Sequence, residues 1–521
     1  MNKFFKKIAL AILALGAVFI IGTVSINSIL KSKLENFIQE RLPENMVRSY
    51  DNITVESLGG SLIVKNASLI IKNKEDNVKH TFINVEKLKI SDISYWDYIF
   101  NGKIHAEAIS LENPKIVYYQ DRLKPSKDST RQAVAKIYKP IIVDHVEIKN
   151  TKFAIYEKGG DSTKIYTSGL TVKVDGVKVD NKTVIRKIPF EYNDFKAQSD
   201  TVFVKVSPYE NLTVESFSLE KHNALFKNLK LKTKYSKREL SQIIKKERDY
   251  YALTLKSLLV ADFDFGFENN RFFAKSKKIS LEAPALEVYR DKLVADDPKT
   301  KPLYSKMLRE LPFDLTVDSL KIDDAKIKYE ERQKQENMGG SIDFKNLNAA
   351  ISNVSNTYTS PTKTEIKIDA IFMDKTPISA NWSFDVQNTS DQFLFEAKIG
   401  SMVADRMNSF TEPNLKVRLE GTTNSTFFTI DGNSEASRID MKIKYTDFKV
   451  VVLREDGKRK NRFLSAVANI FISKNSKKDN NNYRESQAKA TRDKTKSVFN
   501  FLWLSVKNAL MKAMLGNNKK G

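Results

Sequence analysis

From Ile53 to Leu453 the chain keeps to one grammar: short runs of β-branched and aromatic residues, with apolar side chains at every second position. Leu170-Thr-Val172-Lys-Val174 is the plainest instance, and Val202–Val206, Val214–Leu219, Phe393–Ile399 and Met441–Tyr445 follow it. Alternation of period two puts the apolar side chains on one face of a strand and the polar ones on the other. Asn, Gly, Asp and Lys separate the runs, as turn residues do. Roughly twenty to twenty-five strands can be counted in this way. A sheet of that size must hide its apolar face, and no long helical segment is available to cover it. It must therefore fold over as a sandwich, a barrel or a curved gutter. The first two bury the face as core. A gutter leaves it open, and a contiguous exposed apolar surface implies a ligand.

The strands also repeat. Ile109-Ser-Leu-Glu-Asn-Pro114-Lys-Ile-Val-Tyr-Tyr119 matches Ile279-Ser-Leu-Glu-Ala-Pro284-Ala-Leu-Glu-Val-Tyr289, a step of 170 between residues 109 and 279. Asp92 and Asp262 stand at the same step. Ala133–Ile137 before Pro140 resembles Ser305–Leu311 before Pro312, a short helix leading into a strand. Val143-Asp144 and Ile148 then echo Val317-Asp318 and Ile322, and Gly159-Gly160 and Gly339-Gly340 follow as turns. Co-linear matches of this kind predict a duplicated unit. Between the copies, Ser236-Lys-Arg-Glu239 reads as a capping box, with Leu240, Ile243 and Ile244 as the buried face of a short helix.

The beginning of the chain has another character. Lys3, Lys6 and Lys7 precede Ile8–Leu30, which holds no charged residue. As a helix this stretch measures about 34 Å, enough for a hydrocarbon core of about 30 Å. The flanking lysines predict a cytoplasmic start, with the rest of the chain across the membrane. A cleaved signal peptide is the competing reading, but no clean small-x-small site follows Ile21. The absence of cysteine excludes lipoprotein attachment, disulfides and thiolate metal sites. From Ser25 to Leu42, Ile26, Leu30, Leu34, Phe37, Ile38 and Leu42 recur at helical spacing, and Pro43 ends the pattern.

The end of the chain is basic. Arg454–Lys496 holds thirteen Lys or Arg against five Asp or Glu, which predicts a basic loop or a basic face near a membrane. The whole chain has a formal net charge of +23, which favours anionic partners; behind a membrane anchor, anionic lipid is a better partner than nucleic acid. Ser497–Leu515 reads as an amphipathic helix whose polar residues occupy an arc of about 160°. It either caps the sheet or lies on a membrane or partner surface, with Phe499, Leu502, Trp503, Val506, Lys507 and Leu510 as docking candidates.

Nothing in the sequence points to catalysis. His80, His105, His145 and His222 are scattered, and no H-E-x-x-H, G-x-S-x-G, phosphate-binding loop or dinucleotide fingerprint occurs. The acidic residues mostly alternate with apolar ones, as on the solvated side of a sheet. The expectation is a non-enzymatic protein with no cofactor and no metal site.

Three features carry a family resemblance: the anchor with its extension Ser25–Leu42, the segment Ile53–Lys72 with Leu58-Gly-Gly-Ser-Leu, and the paired Ile-Ser-Leu-Glu-x-Pro strands. Arg438–Leu453 looks like a closing pair of strands. Together they resemble the AsmA-like proteins of Gram-negative bacteria, which are related to bridge-like lipid-transfer proteins. The resemblance implies a mainly β fold: an N-terminal transmembrane helix, an elongated, curved antiparallel repeating β-groove with short helical inserts, and a C-terminal amphipathic helix. It implies an inner-membrane, single-pass protein with its bulk in the periplasm, acting in phospholipid traffic and outer-membrane biogenesis. The expected organisation is an anchor with its extension (1–43), a first groove unit (44–235), a helical insert (236–248), a second groove unit (249–453) and a basic segment with the terminal helix (454–521). Lipid-facing candidates are Ile109, Leu111, Ile116 and Tyr118 in the first copy and Ile279, Leu281, Leu286 and Val288 in the second. The expected partners are the membrane, a lipid ligand and an envelope protein at the C-terminal end. An envelope scaffold with a closed β core is the alternative.

Overall fold

The computed structural model describes residues 32, 45–56, 59–124, 137, 139–157, 162–335, 339–453, 476 and 482–515. The span Ile8–Leu30, nearly all of its extension, the first-copy helix at residues 133–136 and most of the basic run lie outside the described residues. Among the described residues strand accounts for 61% and helix for 12%, so sheet faces must supply most of the core. The chain divides into two compact units, residues 1–227 and 228–521.

The first unit opens with β1 (Met46–Ser49) and β2 (Asn52–Glu56), both paired with β3 (Ser61–Lys72). Gly60 makes the β2–β3 turn at φ +58°, and a Cβ there would sit 2.9 Å from the backbone nitrogen of Ile93. Only glycine fits that approach. β3 pairs with β4 (Lys79–Ile93), which leads into α1 (Tyr95–Phe100). The Ser94 side chain caps α1 by accepting from the Asp97 backbone N–H. Next come β5 (Ile104–Glu112) and β6 (Lys115–Tyr119), both antiparallel to β4 and separated by a bulge at Asn113, φ +51°. They pair in parallel with β7 (Ile141–Glu157), which pairs with β8 (Ser162–Val179). β9 (Asp194–Ser199), β10 (Thr201–Lys205), β11 (Glu210–Val214), β12 (Ser216–Glu220) and β13 (Asn223–Thr233) follow.

Helix α2 (Lys237–Ile243) forms with both halves of its Ser236/Glu239 capping box in place and buries Leu240. The second unit then runs through β14 (Tyr250–Ala261), β15 (Asp264–Glu268), β16 (Arg271–Glu282), β17 (Ala285–Asp291) and α3 (Tyr304–Arg309). It continues with β18 (Asp314–Arg332), β19 (Gly340–Ser355), β20 (Thr364–Phe372), β21 (Thr376–Phe384), β22 (Phe393–Ile399), β23 (Met402–Val403) and α4 (Asn408–Leu415). β24 (Val417–Gly432), β25 (Ala436–Val452), β26 (Arg484–Thr491) and α5 (Val498–Leu515) complete it.

The repeat extends to strand topology. β14 pairs with β16 and β17 as β4 does with β5 and β6, and β16 and β17 pair in parallel with β18 as β5 and β6 do with β7. The left-handed residues recur in step: Asp92 and Asp262, Asn113 and Ala283, Asn150 and Asp324. The parallel pairs correct the expectation of an antiparallel sheet; the sheet is mixed. The reason is the long connection after β6 and after β17, which carries the chain back to the start of the strand, as a parallel partner requires. A second correction concerns Arg454–Lys496, read as loop. Arg484–Thr491 within it is the last strand, paired with β25 along eight residues. Its inward residues are the small Ser486, Ala488 and Ala490, so it lacks the β-branched signature by which strands are recognised.

Candidate functional site

Cross-strand registers define one apolar face in each unit, because directly paired residues point to the same side of a sheet. In the first unit one row runs Val64–Leu88–Leu111–Ile148–Val172–Ala197. The adjacent row runs Leu62–Ile90–Ile109–Val146–Val174–Phe195. On β3, β4 and β5 these side chains are buried, with Ile90 fully so; from β7 to β9 they are half-buried.

The second unit shows the reverse progression. One row runs Val260–Ile279–Leu320–Ile351–Ile366–Trp382 and on through Phe395, Ile430 and Ile439. Val260, Ile279, Leu320 and Ile351 are half-buried, whereas Ile430 and Ile439 are 0% exposed. Two helices close that end. Tyr304 of α3 lies against Trp382 with ring centroids 5.3 Å apart, and Phe501 of α5 meets Phe393 edge-on at 6.2 Å. Leu303, Phe501, Leu502 and Ala509 join the same buried cluster. Polar ties pin both helices. Arg309 bonds Asp391 at 2.8 Å and the Val386 carbonyl at 2.6 Å, and Ser505 bonds Ser437 at 2.8 Å.

Over β14–β18 the two edges of this face differ. Toward one lies a band of phenylalanines: Phe263 stacks on Phe265 at 5.3 Å, Phe267 meets Phe272 at 5.3 Å, and Phe272 meets Phe313 at 6.0 Å. All five are half-buried. Toward the other, the Arg290 guanidinium grips Asp249 through two bonds of 2.6 and 2.7 Å, and the Tyr251 hydroxyl donates to Asp249 at 3.0 Å. Burial and the neighbouring Asp249 carboxylate push the Tyr251 phenol up, so it stays protonated and donates. A surface with a hydrocarbon-like middle, an aromatic edge and a polar edge is chemically suited to an amphiphile.

The opposite sides of the strands carry paired charges. Lys87 meets Glu112 at 3.1 Å, Glu147 bridges Lys149 and Lys173, and Lys442 meets Glu485 at 2.6 Å. These exposed pairs contribute little to stability, at most about 1 kcal/mol each, but they mark the solvated side.

The sequence candidates fall into distinct environments. Ile109, Leu111 and Tyr118 are buried and Ile116 is half-buried, in the core of the first unit. Ile279, Leu281, Leu286 and Val288 are all half-buried on the less covered strands of the second. In α5, Leu502 points into the core and Val506 and Leu510 pack against it, so these three docking candidates belong to a cap. Phe499, Trp503 and Lys507 lie exposed on the far side of the helix. The phenylalanine band was overlooked, although Asp-Phe-Asp-Phe-Gly-Phe at 262–267 displays it as an alternating run.

Among the described residues, no group of three His, Cys, Asp or Glu is arranged to hold a metal ion. No described helix is long and apolar enough to cross a membrane. No protein-family model matches the chain, and no curated protein matches it.

Proposed function

We propose that this chain is a membrane-anchored lipid-binding and lipid-transfer protein whose ligand lies on the half-buried apolar face. The observation that carries the reading is the unbroken apolar register Val260–Ile279–Leu320–Ile351, half-buried over β14–β19, whereas its continuation over β24 and β25 is buried in the cluster that includes residues of α5. Acyl chains would complete the burial of these side chains, a gain of about 25 cal/mol for each Å² removed from water. The uncharged stretch Ile8–Leu30 supports the anchor, and the resemblance to AsmA-like proteins supports a periplasmic body acting in phospholipid traffic to the outer membrane. The buried rows at β3–β5 and β24–β25 favour the second reading, a closed-core envelope scaffold, over those strands alone.

The test is photo-crosslinking in the full-length chain. A benzophenone amino acid at Leu281 should capture phospholipid in membranes and in detergent, as identified by mass spectrometry of the adduct. The same group at Asn150, exposed at an irregularity within β7 of the first unit, should not. Failure to capture lipid at Leu281, Leu286 and Val288 alike would leave the scaffold as the better reading.

A further inference from the structure

In the first unit, α1 carries three large apolar side chains in solvent: Trp96 at 67% exposure, Ile99 at 55% and Phe100 at 63%. The Trp96 and Phe100 rings stand 4.2 Å apart and form one wedge. The helix beneath is fixed. Asp97, on its inner side, receives Asn101 at 2.6 Å and meets His105 Nδ1 at 2.7 Å, while His105 Nε2 reaches Asp144 of β7 at 3.0 Å. Lys139 donates to the Tyr98 carbonyl at 2.7 Å and lies over the Tyr98 ring. A mobile loop would hide such residues by collapse; here the fold holds them outward.

The same rim offers a second apolar point. Ile104, Ile141 and Val179 are register partners at the ends of β5, β7 and β8, so the loop after β8 emerges two strands from α1, about 10 Å away. That loop exposes Ile185 at 68%, between the exposed Lys182 and Arg186, while Val184 is buried beneath it. The rim therefore presents Trp, Phe and Ile tips with Lys103, Lys139, Lys182, Arg186 and Lys187 around them. Its acids are largely engaged: Asp97 with His105 and Lys103, Asp180 with the backbone of Lys182 and Thr183, and Glu191 with Arg186 at 2.9 Å. The counterpart of α1 in the second copy, the β15 hairpin, is aromatic as well.

We propose that this rim of the first unit inserts into the interface of an anionic phospholipid bilayer, with Trp96, Ile99, Phe100 and Ile185 as the inserted tips. Aromatic rings flanked by lysines suit the interfacial layer, where the ring is buried and the cation meets a head group. The tips are exposed and spaced along an edge, which fits a fluid surface better than a preformed protein pocket. The proposal rests on the membrane-anchored reading above. Fifteen residues separate Leu30 from Met46; with those up to Leu42 helical, as their spacing predicts, they span about 30 Å between the anchor and the body.

The chain has no cysteine, so single-cysteine spin labels can be placed at will. The full-length protein carrying Phe100→Cys, Ile185→Cys or Asn150→Cys is reconstituted in vesicles of phosphatidylethanolamine and phosphatidylglycerol, and label depth is read from oxygen and nickel-chelate accessibility. Labels at 100 and 185 should lie within the bilayer and the label at 150 in water. Replacing phosphatidylglycerol with phosphatidylcholine should shift labels 100 and 185 outward. A Trp96→Ser/Phe100→Ser chain, with unchanged circular dichroism, should lose at least about tenfold in protection of the rim from added protease. Aqueous labels at 100 and 185 in every composition overturn the proposal, as do labels shielded from both oxygen and the nickel chelate, the sign that a protein partner buries them instead. Capture of lipid at Leu281 is read separately. Embedded labels without capture sink the lipid-carrying reading alone, and capture with aqueous labels sinks this one alone.

Discussion

Leu111 and Leu281 occupy the same place in the repeat, in strands that share the sequence Ile-Ser-Leu-Glu and the same pairing, yet Leu111 is 3% exposed and Leu281 is half-buried. The first copy of the motif lies inside a large buried cluster that includes residues of β2 to β8. The second lies where β14, β16 and β18 present similar side chains without such cover. The difference teaches that this motif specifies an amphipathic strand and leaves the strand's burial to its surroundings: core in one copy, a half-buried face in the other.

The sharpest way to break that comparison is to place a charge at each position. Leu111→Asp should cost several kcal/mol, because a carboxylate buried without a partner is among the most destabilising changes known. The first unit should then unfold at low denaturant concentration. Leu281→Asp can keep its carboxylate hydrated and should cost about 1 kcal/mol, while lipid capture at Leu286 is lost. Equal destabilisation by the two variants in denaturant titrations would show that both copies are core.

A second contrast is between the two sides of α5. Phe501→Ala should cost about 3–5 kcal/mol, since the ring is 1% exposed and packs on Phe393. Trp503→Ser on the exposed side should change stability by no more than about 0.5 kcal/mol. Calorimetry of the two variants separates cap from surface. Removal of residues 497–521 should melt the second unit, which would argue against a purely docking role for the helix.

A finer comparison concerns the bulges. Asn113 and Ala283 are repeat partners, both left-handed, at φ +51° and +47°. Asparagine tolerates that conformation and alanine pays for it. Ala283→Asn should stabilise the second unit by about 0.5–1 kcal/mol; no gain in the denaturation midpoint would mean that the strain is relieved elsewhere.

The smallest expected effect distinguishes the units by pH. Burial alone would lower the His105 pKa, but the carboxylates of Asp97 and Asp144 outweigh it and the net shift is upward. A raised pKa means that the protonated pair stabilises the fold fully below about pH 6.5, the ordinary histidine value, and that this contribution is lost as pH rises through the folded value. His105 is partly solvated, so the contribution is modest. His105→Gln should flatten the dependence of first-unit stability above about pH 6.5, and an unchanged slope would assign it to other groups.

The sequence by itself determined what depends on neighbours along the chain. Period-two alternation marked most strands and the apolar side of each, the Ser236/Glu239 box placed α2, and the Ile-Ser-Leu-Glu-x-Pro pair marked the repeat, because backbone geometry and turn chemistry are local. β26 escaped because its inward side chains are small, and the parallel pairs escaped because chain direction in a sheet depends on where a connection of some twenty residues returns. Only the tertiary structure decided which parts of the apolar face are covered. Burial is set by what lies opposite, and for Ile430 and Ile439 that includes α5, more than fifty residues further along the chain. No periodicity within a strand encodes that distance, so the same residues read as core or as lining until the fold assigns them.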